Sequence, residues 1–431
     1  MKSLYQIYLK HPIISTDSRQ INPGCLFFAL KGDNFDGNKY ASKAIHLGAA
    51  YAIVDDPSIA VSDQYIVVNN VLQTLQNLAA HHRSQLSIPV IGITGTNGKT
   101  TTKELTNAVL SRKFNVLATE GNLNNHIGVP LTLLKINQEH EIAIIEMGAN
   151  HPGEIKDLSE IASPDYGLIT NIGKAHLEGF GSYEGVIKTK TELYNFIETN
   201  SGKIFINEDD ELLKKLSTKL QQITYGTSRS SSLQGELINS QVYCTQRILF
   251  SKGWLYVQSK LTGNYNFSNI MAAATIGLHF DVDPLEIKNA IELYTPSNKR
   301  SEVIKTDNNT LILDAYNANP TSVNASLNNF FSIEHNHKIA ILGDMLELGD
   351  YSEEEHQKIV DLLLASDVAR IFLVGSHFAK TATNSDIRFR KFETTALLKE
   401  YIRENSLQEC MVLIKGSRGI KLEDLLVNSN L

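Results

Sequence analysis

The chain has 431 residues, with 40 Lys and Arg against 47 Asp and Glu, a net charge of −7 and a hydrophobic fraction of 42%. The length suggests about three domains, and the composition is that of a folded globular chain rather than a disordered or collagen-like one. The acid excess argues against a protein built to grip nucleic acid or an anionic membrane, and no apolar run approaches a membrane span.

The N-terminus, MKSLYQIYLKHP, lacks the apolar core of a secretory signal. Cys25, Cys244 and Cys410 stand far apart and form neither metal-ligand spacing nor a disulfide framework. The expectation is a cytoplasmic protein with no membrane span, working as a monomer.

Residues 1–84 read as a small α/β unit. CLFFAL (25–30) and AAYAIVDD (49–56) are expected strands, with ASKAIHLGA a helix between them. From Val71 to Gln85, Val71, Leu72, Leu75, Leu78, Ala79 and His82 recur at helical spacing. Pro89 then disfavours helix at Ile88 and marks a boundary. Residues 85–297 form the second unit. VIGIT, NVLAT, IAIIEMG and YGLITNIG are apolar runs without alternation, as expected for strands buried on both faces of a mostly parallel sheet. Between Gln234 and Leu261 the pattern changes to alternation, which predicts antiparallel strands. Residues 298–431 form the third unit. TLILDAY, HKIAILGD, ARIFLVG, IRFRKF and CMVLIKG alternate with helical stretches at Ser322–Phe331, Ser352–Ala365, Thr394–Glu404 and Ile420–Val427, which suggests a Rossmann-like sheet. The fold class expected is therefore α/β in three domains.

The clearest chemistry lies at Gly95-Thr96-Asn97-Gly98-Lys99-Thr100, between a buried strand and a helix. Glycines let backbone N–H groups aim at phosphate oxygens, and the helix N-terminus adds its positive end. Lys99 would reach the β and γ phosphates, and the Thr100 hydroxyl would ligate Mg²⁺. The strict G-x-x-x-x-G-K-T pattern is not met, because Ile93 stands five before Gly98. Glu146 ends the strand AIIE, where a second acidic ligand is needed. Residue by residue, His176 also reads as a surface or core histidine, and Lys190 as a solvated helix lysine. The loop GNLNNHIGVP (121–130) is dense in amides and reads equally as a ligand contact or a capped turn.

These motifs together resemble the Mur ligase family, over essentially the whole chain. The carriers are TDSRQINPGCLFFALKG (16–32), GITGTNGKTTTKE (92–104), GNLNNHIGVPLTLL (121–134), EMGANHPGEI (146–155), NIGKAHLEGFGS (171–182), NYNFSNIMAAA (264–274), DAYNANPTS (314–322), LGDMLELGDYS (342–352) and LIKGSRGIKLE (413–423). EMGANHPGEI, DAYNANP and LGDMLELG are similar to the branch that adds D-alanyl-D-alanine.

The resemblance implies an N-terminal UDP-sugar-binding unit, a central ATPase and a C-terminal unit that closes over it. It implies that ATP phosphorylates the terminal carboxylate of UDP-MurNAc-tripeptide and that the amine of D-Ala-D-Ala attacks the acyl phosphate. Lys99, Lys190 and His176 would be catalytic. Gly95, Thr96, Asn97, Gly98, Lys99, Thr100 and Thr101 would hold the phosphates, Asn266 and Asn269 the adenine, and Arg300 and Asp314 the phosphates and ribose. Ser18 and Arg19 match the UDP-binding turn, and Asn122, Asn125, Asn317 and Asn319 would meet substrate. Thr100, Glu146, His176 and Lys190 would surround two Mg²⁺ ions, Lys190 as a carbamate, with Lys188 the competing lysine. Tyr265 stands where the family more often has His. Alternatives are the ligase adding the third amino acid, a folylpolyglutamate synthase and, in a different class, a non-catalytic ATP switch.

Overall fold

The structure, a computed structural model, describes residues 1–239, 242–296 and 300–427. Among them are three principal sheets in sequence order. The expected boundary at 297/298 falls outside the described residues.

The first sheet has four parallel strands, in the order Ile14–Ser15, Leu26–Phe28, Tyr51–Val54 and Tyr65–Val67. Its chain then enters the helix Val71–Arg83, capped by Asn70, whose side chain accepts from the Gln73 N–H at 2.8 Å. Leu75, Leu78 and Ala79 on this helix are fully buried, and they belong to one apolar cluster with Val129, Leu133, Ile155 and Leu158 of the second unit. Full burial of a Leu stabilises by about 1.5–3 kcal/mol, so this face joins the units firmly. Arg83 reinforces the junction: its guanidinium donates to Ala162 O, Ser163 O and the Asp165 carboxylate.

The second sheet has nine strands. From Leu233–Asn239 through Gln221–Gly226, Lys203–Asn207, Tyr166–Ile169, Val90–Thr94 and Ile142–Glu146 to Val116–Ala118, neighbours run parallel. Tyr243–Phe250 and Gly253–Thr262 extend the other edge antiparallel, where alternation predicted it. Val90–Thr94 and Ile142–Glu146 are buried throughout, as uninterrupted apolar runs require. Their C-terminal ends lie side by side and deliver the phosphate loop and Glu146 to the same crevice.

The third sheet runs Glu302–Lys305, Asn309–Asp314, Cys410–Lys415, Lys338–Gly343, Arg370–Val374, Phe389–Phe392. All pairs are parallel except the first, an antiparallel edge that the sequence reading did not assign. Nor did it assign Lys203–Asn207 and Gln221–Gly226. One expected helix is corrected. Residues 420–427 do not form an α-helix; Lys421, at φ 58°, separates the 3-10 turns Arg418–Ile420 and Leu422–Leu426. A side chain in the left-handed region ends helical propagation. No helix among the described residues is long and apolar enough to cross a membrane.

Candidate active site

A cleft of about 960 Å³ lies where the three units meet. Helix Val71–Arg83 supplies Gln73, Gln76 and Asn77 to its lining, the phosphate loop and Glu146 come from the second unit, and Arg300, Asp314 and Lys415 from the third.

The loop is built by glycines held at positive φ, Gly95 at 142° and Gly98 at 80°. A Cβ on Gly95 would stand 2.0 Å from Thr170 Oγ1, and one on Gly98 would stand 2.5 Å from Asn269 Oδ1. The neighbouring strand end braces the turn. Asn171 accepts from the Thr96 N–H through its carbonyl (2.9 Å) and from the Asn97 N–H through its side chain (3.0 Å). Thr170 Oγ1 and Asn171 Nδ2 both donate to Asn97 O. Lys99 Nζ folds back to Gly95 O (2.7 Å) and Thr96 O (3.0 Å). Desolvation lowers its pKa to about 8, against the pull of Glu146, with Arg300 lowering it further.

Glu146 is 1% exposed. Its Oε1 accepts from Thr100 Oγ1 (3.2 Å) and Asn124 Nδ2 (2.8 Å), while its Oε2 is buried with no hydrogen-bond partner. Thr119 Oγ1 accepts from the Glu146 N–H, and Lys103, almost wholly buried, donates to Thr119 O and Glu104. An unpaired buried carboxylate oxygen beside a hydroxyl is a donor set suited to a hard cation. Among the described residues no group of three or more His, Cys, Asp or Glu forms a cluster that could hold a metal by itself. Magnesium needs no such cage, because it commonly takes one or two carboxylates plus phosphate oxygens.

Lys190 lies on helix Tyr183–Thr199 and is 2% exposed, whereas Lys188 is exposed. Its Nζ sits 5.6 Å from the Phe180 ring centroid and has no hydrogen-bond or ion-pair partner among the described residues. Burial, then repulsion from Lys99, holds its pKa well below the ordinary lysine value. His176 has φ 50°, and its Nδ1 is 2.6 Å from Glu347 Oε2, a third-unit carboxylate.

The third unit is docked on the second around this cleft. Asn319 caps helix Pro320–Ser332 and also donates to Asn97 Oδ1 at 2.8 Å. Lys174 Nζ reaches Glu355 at 2.8 Å, and the Lys174 N–H donates to Thr321 Oγ1. Arg300 stacks its guanidinium 3.9 Å from the Tyr316 ring centroid, leaving a buried Nε without a partner. Asp314 is held by Lys415 (2.6 Å) and Ser326 (3.0 Å).

The sequence matches three family descriptions in the same order as the sheets: Mur ligase family, catalytic domain over 11–91; Mur ligase middle domain over 93–277; and Mur ligase, glutamate ligase domain over 299–418. The chain belongs to the Mur ligase family.

Among relatives, this Mur ligase is 35% identical over 422 residues to the UDP-N-acetylmuramoyl-tripeptide–D-alanyl-D-alanine ligase of Bacillus subtilis, covering 96% of this chain and 92% of that one. The crystal structure of MurF from Acinetobacter baumannii superposes with a TM-score of 0.88 at 30% identity, over 99% of this chain and 97% of that one. MurF ligase from Thermotoga maritima, in complex with ADP, gives a TM-score of 0.85 at 25% identity, over 97% and 96%.

Most residues singled out in this Mur ligase's sequence converge. Thr96, Asn97, Gly98, Lys99, Thr101, Asn122, Asn125, Glu146, His176, Asn266, Asn269, Arg300, Asp314 and Asn317 line the cleft. Gly95, Thr100 and Asn319 make the loop, the Glu146 contact and the bridge to Asn97 described above. Asn266 and Asn269 are buried and linked, Asn269 Nδ2 donating to Asn266 Oδ1 at 2.8 Å. Asn125 and Asn317 also serve their own turns, accepting from Gly128 and Ala318 N–H groups respectively. Lys190 is buried and is not among the cleft-lining residues. Ser18 and Arg19 stand outside the cleft, and Arg19, 82% exposed, is paired with Asp17. Asn124 and Glu347 were missed. Asn124 lies within the amide-dense loop, but only the fold shows which of its three Asn meets Glu146.

Proposed function

We propose that this Mur ligase adds D-alanyl-D-alanine to UDP-MurNAc-tripeptide, cleaving ATP to ADP and phosphate through an acyl phosphate. The observation that carries the reading is a single cleft receiving residues of all three units, in a chain similar over nearly its whole length to ligases of that name. A free carboxylate is a poor electrophile, and phosphorylation gives it a leaving group. The tripeptide's carboxylate oxygen attacks the γ-phosphorus, the bond to ADP breaks, and the dipeptide's amine then attacks the acyl carbon, losing a proton as phosphate departs.

Two anions must meet in the first step. Lys99, released from its own loop carbonyls, turns to the β and γ phosphates, and Arg300 approaches from the third unit; both offset the repulsion. Thr100 and Glu146 would hold Mg²⁺, with His176 beside them, and the ion would neutralise charge on the transferring phosphoryl group. Asn266 and Asn269 offer amides to the adenine, and Asp314 offers a carboxylate to the ribose. Asn122, Asn125, Asn317 and Asn319 offer short polar groups to substrate, and Ser18 and Arg19 receive the UDP end.

Lys190 is a candidate for carbamylation, because a buried, unpaired amine with depressed pKa is readily neutral and can attack CO₂. The product is a carboxylate suited to a second Mg²⁺, which a bare ammonium is not. A nucleotide-sugar substrate and ATP place the reaction in the cytoplasm, and one chain supplies the whole cleft, so a monomer suffices.

The test is phosphate release with product mass across a substrate panel: UDP-MurNAc-dipeptide with a third amino acid, UDP-MurNAc-tripeptide with D-Ala-D-Ala, and folate with glutamate. Only the second pair should give both phosphate and an amide of the summed mass less water. Product from either other pair would reassign the substrate, and hydrolysis without amide would favour the ATP switch.

A further inference from the structure

The segment Asp344–Gly349 of the third unit contributes a carboxylate to the cleft that the reaction scheme above does not use. Glu347 Oε2 lies 2.6 Å from His176 Nδ1, across 171 residues of sequence. Both partners hold unusual backbone, His176 at φ 50° and Glu347 at φ 64°. Non-glycine residues occupy the left-handed region at a cost, and they stay there only when the surroundings over-determine them.

The surroundings do so here. The Met345 N–H donates to the buried His356 Nε2, and His356 Nδ1 faces Ser352 O. The Leu346 N–H donates to Ser417 Oγ. Across the interface, the Glu178 N–H donates to Glu347 O at 3.3 Å, so backbone and side chain of one residue dock together on the segment carrying His176. On the other side, the ring of Phe180 meets His176 edge-on at 6.2 Å. Nδ1 makes no aligned hydrogen bond to the carboxylate, so the pair is a close contact at hydrogen-bonding distance.

We propose that Glu347 is a positioning residue that couples docking of the third unit to the orientation of the His176 imidazole. With Nδ1 committed to the carboxylate, Nε2 is the nitrogen that faces the reacting groups, and ring orientation is fixed only when the third unit is closed. Carboxylates fix histidine tautomer and ring orientation in this way at metal sites. The role of His176 itself rests on the ligase reading above; the role of Glu347 is tested separately.

The test is a double-mutant cycle on the full chain with Glu347→Gln and His176→Ala, scored by kcat with tripeptide, D-Ala-D-Ala and ATP. Glu347 is half exposed, so the isosteric change leaves the fold intact, which a thermal melt verifies. Glu347→Gln is expected to lower kcat by about tenfold to hundredfold in the wild-type background and to have no further effect beside His176→Ala. Equal losses in both backgrounds, or kcat within twofold of wild type, would overturn the proposal. The second readout needs no turnover. In ¹⁵N-histidine-labelled protein, with His176 assigned by its absence in His176→Ala, the ring should carry its proton on Nδ1 and lose that preference in Glu347→Gln. An unchanged His176 ring signal would also overturn it. Loss of activity in the wild-type chain would instead count against the ligase reading, leaving the ring signal to decide on Glu347.

Discussion

Lys190→Met should make the free protein more stable while ending catalysis. Lys190 is 2% exposed on helix Tyr183–Thr199, its amine near Phe180, with no hydrogen-bond acceptor among the described residues. Met keeps the length of the apolar stem and removes the group that burial penalises. An unsatisfied buried polar group costs about 1–3 kcal/mol, so the substitution should raise unfolding free energy by about that much. At about 2–4 °C per kcal/mol for a unit of this size, the melting midpoint should rise by about 2–12 °C. The gain depends on pH in a defined direction. The folded-state pKa of Lys190 is depressed, so the unfolded chain binds the proton more tightly and wild-type stability recovers as pH rises. The advantage of Met should therefore be largest below the folded pKa, shrink above it, and fall above the free lysine value of about 10.4 to the residual cost of the neutral, unpaired amine. Differential scanning fluorimetry in bicarbonate-free buffer, across pH, measures this. A midpoint at or below wild type at neutral pH would refute the reading of Lys190 as a stranded amine.

Other outcomes follow from the same geometry. Lys190→Ala should regain part of its activity with short carboxylic acids, which replace the carbamate's oxygens; no rescue in the phosphate-release assay would count against carbamylation. Gly95→Ala forces a Cβ against Thr170 Oγ1 at φ 142°, and should weaken ADP binding by roughly tenfold or more, measured by calorimetry. Asn319→Ala removes both a helix cap, worth about 1 kcal/mol, and the bridge to Asn97. It should lower the melting midpoint and increase the radius of gyration in solution scattering, and an unchanged profile would mean the bridge does not hold the units together.

The parts legible in sequence are those whose physics is local. A strand of VIGIT followed by two glycines and Lys-Thr admits few arrangements, and the loop forms where the residues require it. Alternation from Gln234 onward likewise announces the antiparallel edge. Other features depend on partners distant in sequence. Glu347 meets His176 only because two units dock, and no periodicity links residues so far apart. Asn122, Asn124 and Asn125 are chemically alike, so the one that reaches Glu146 is decided by how the loop passes the strand end. KIFIN and QQITYG are too short or too polar to stand out, and become strands by pairing with their neighbours. Residues 420–427 carry an apolar spacing that favours helix, but the turn at Lys421 aims Leu422 and Leu425 into the core instead.

The central claim is that the γ-phosphoryl group passes to the peptide's carboxylate before the amide forms. Tripeptide substrate labelled with ¹⁸O in its terminal carboxylate, incubated with unlabelled ATP and D-Ala-D-Ala, tests it directly. Mass spectrometry of the released inorganic phosphate should find one ¹⁸O per molecule, matched by an amide product retaining the other. Phosphate free of label, with amide nonetheless formed, would contradict the account.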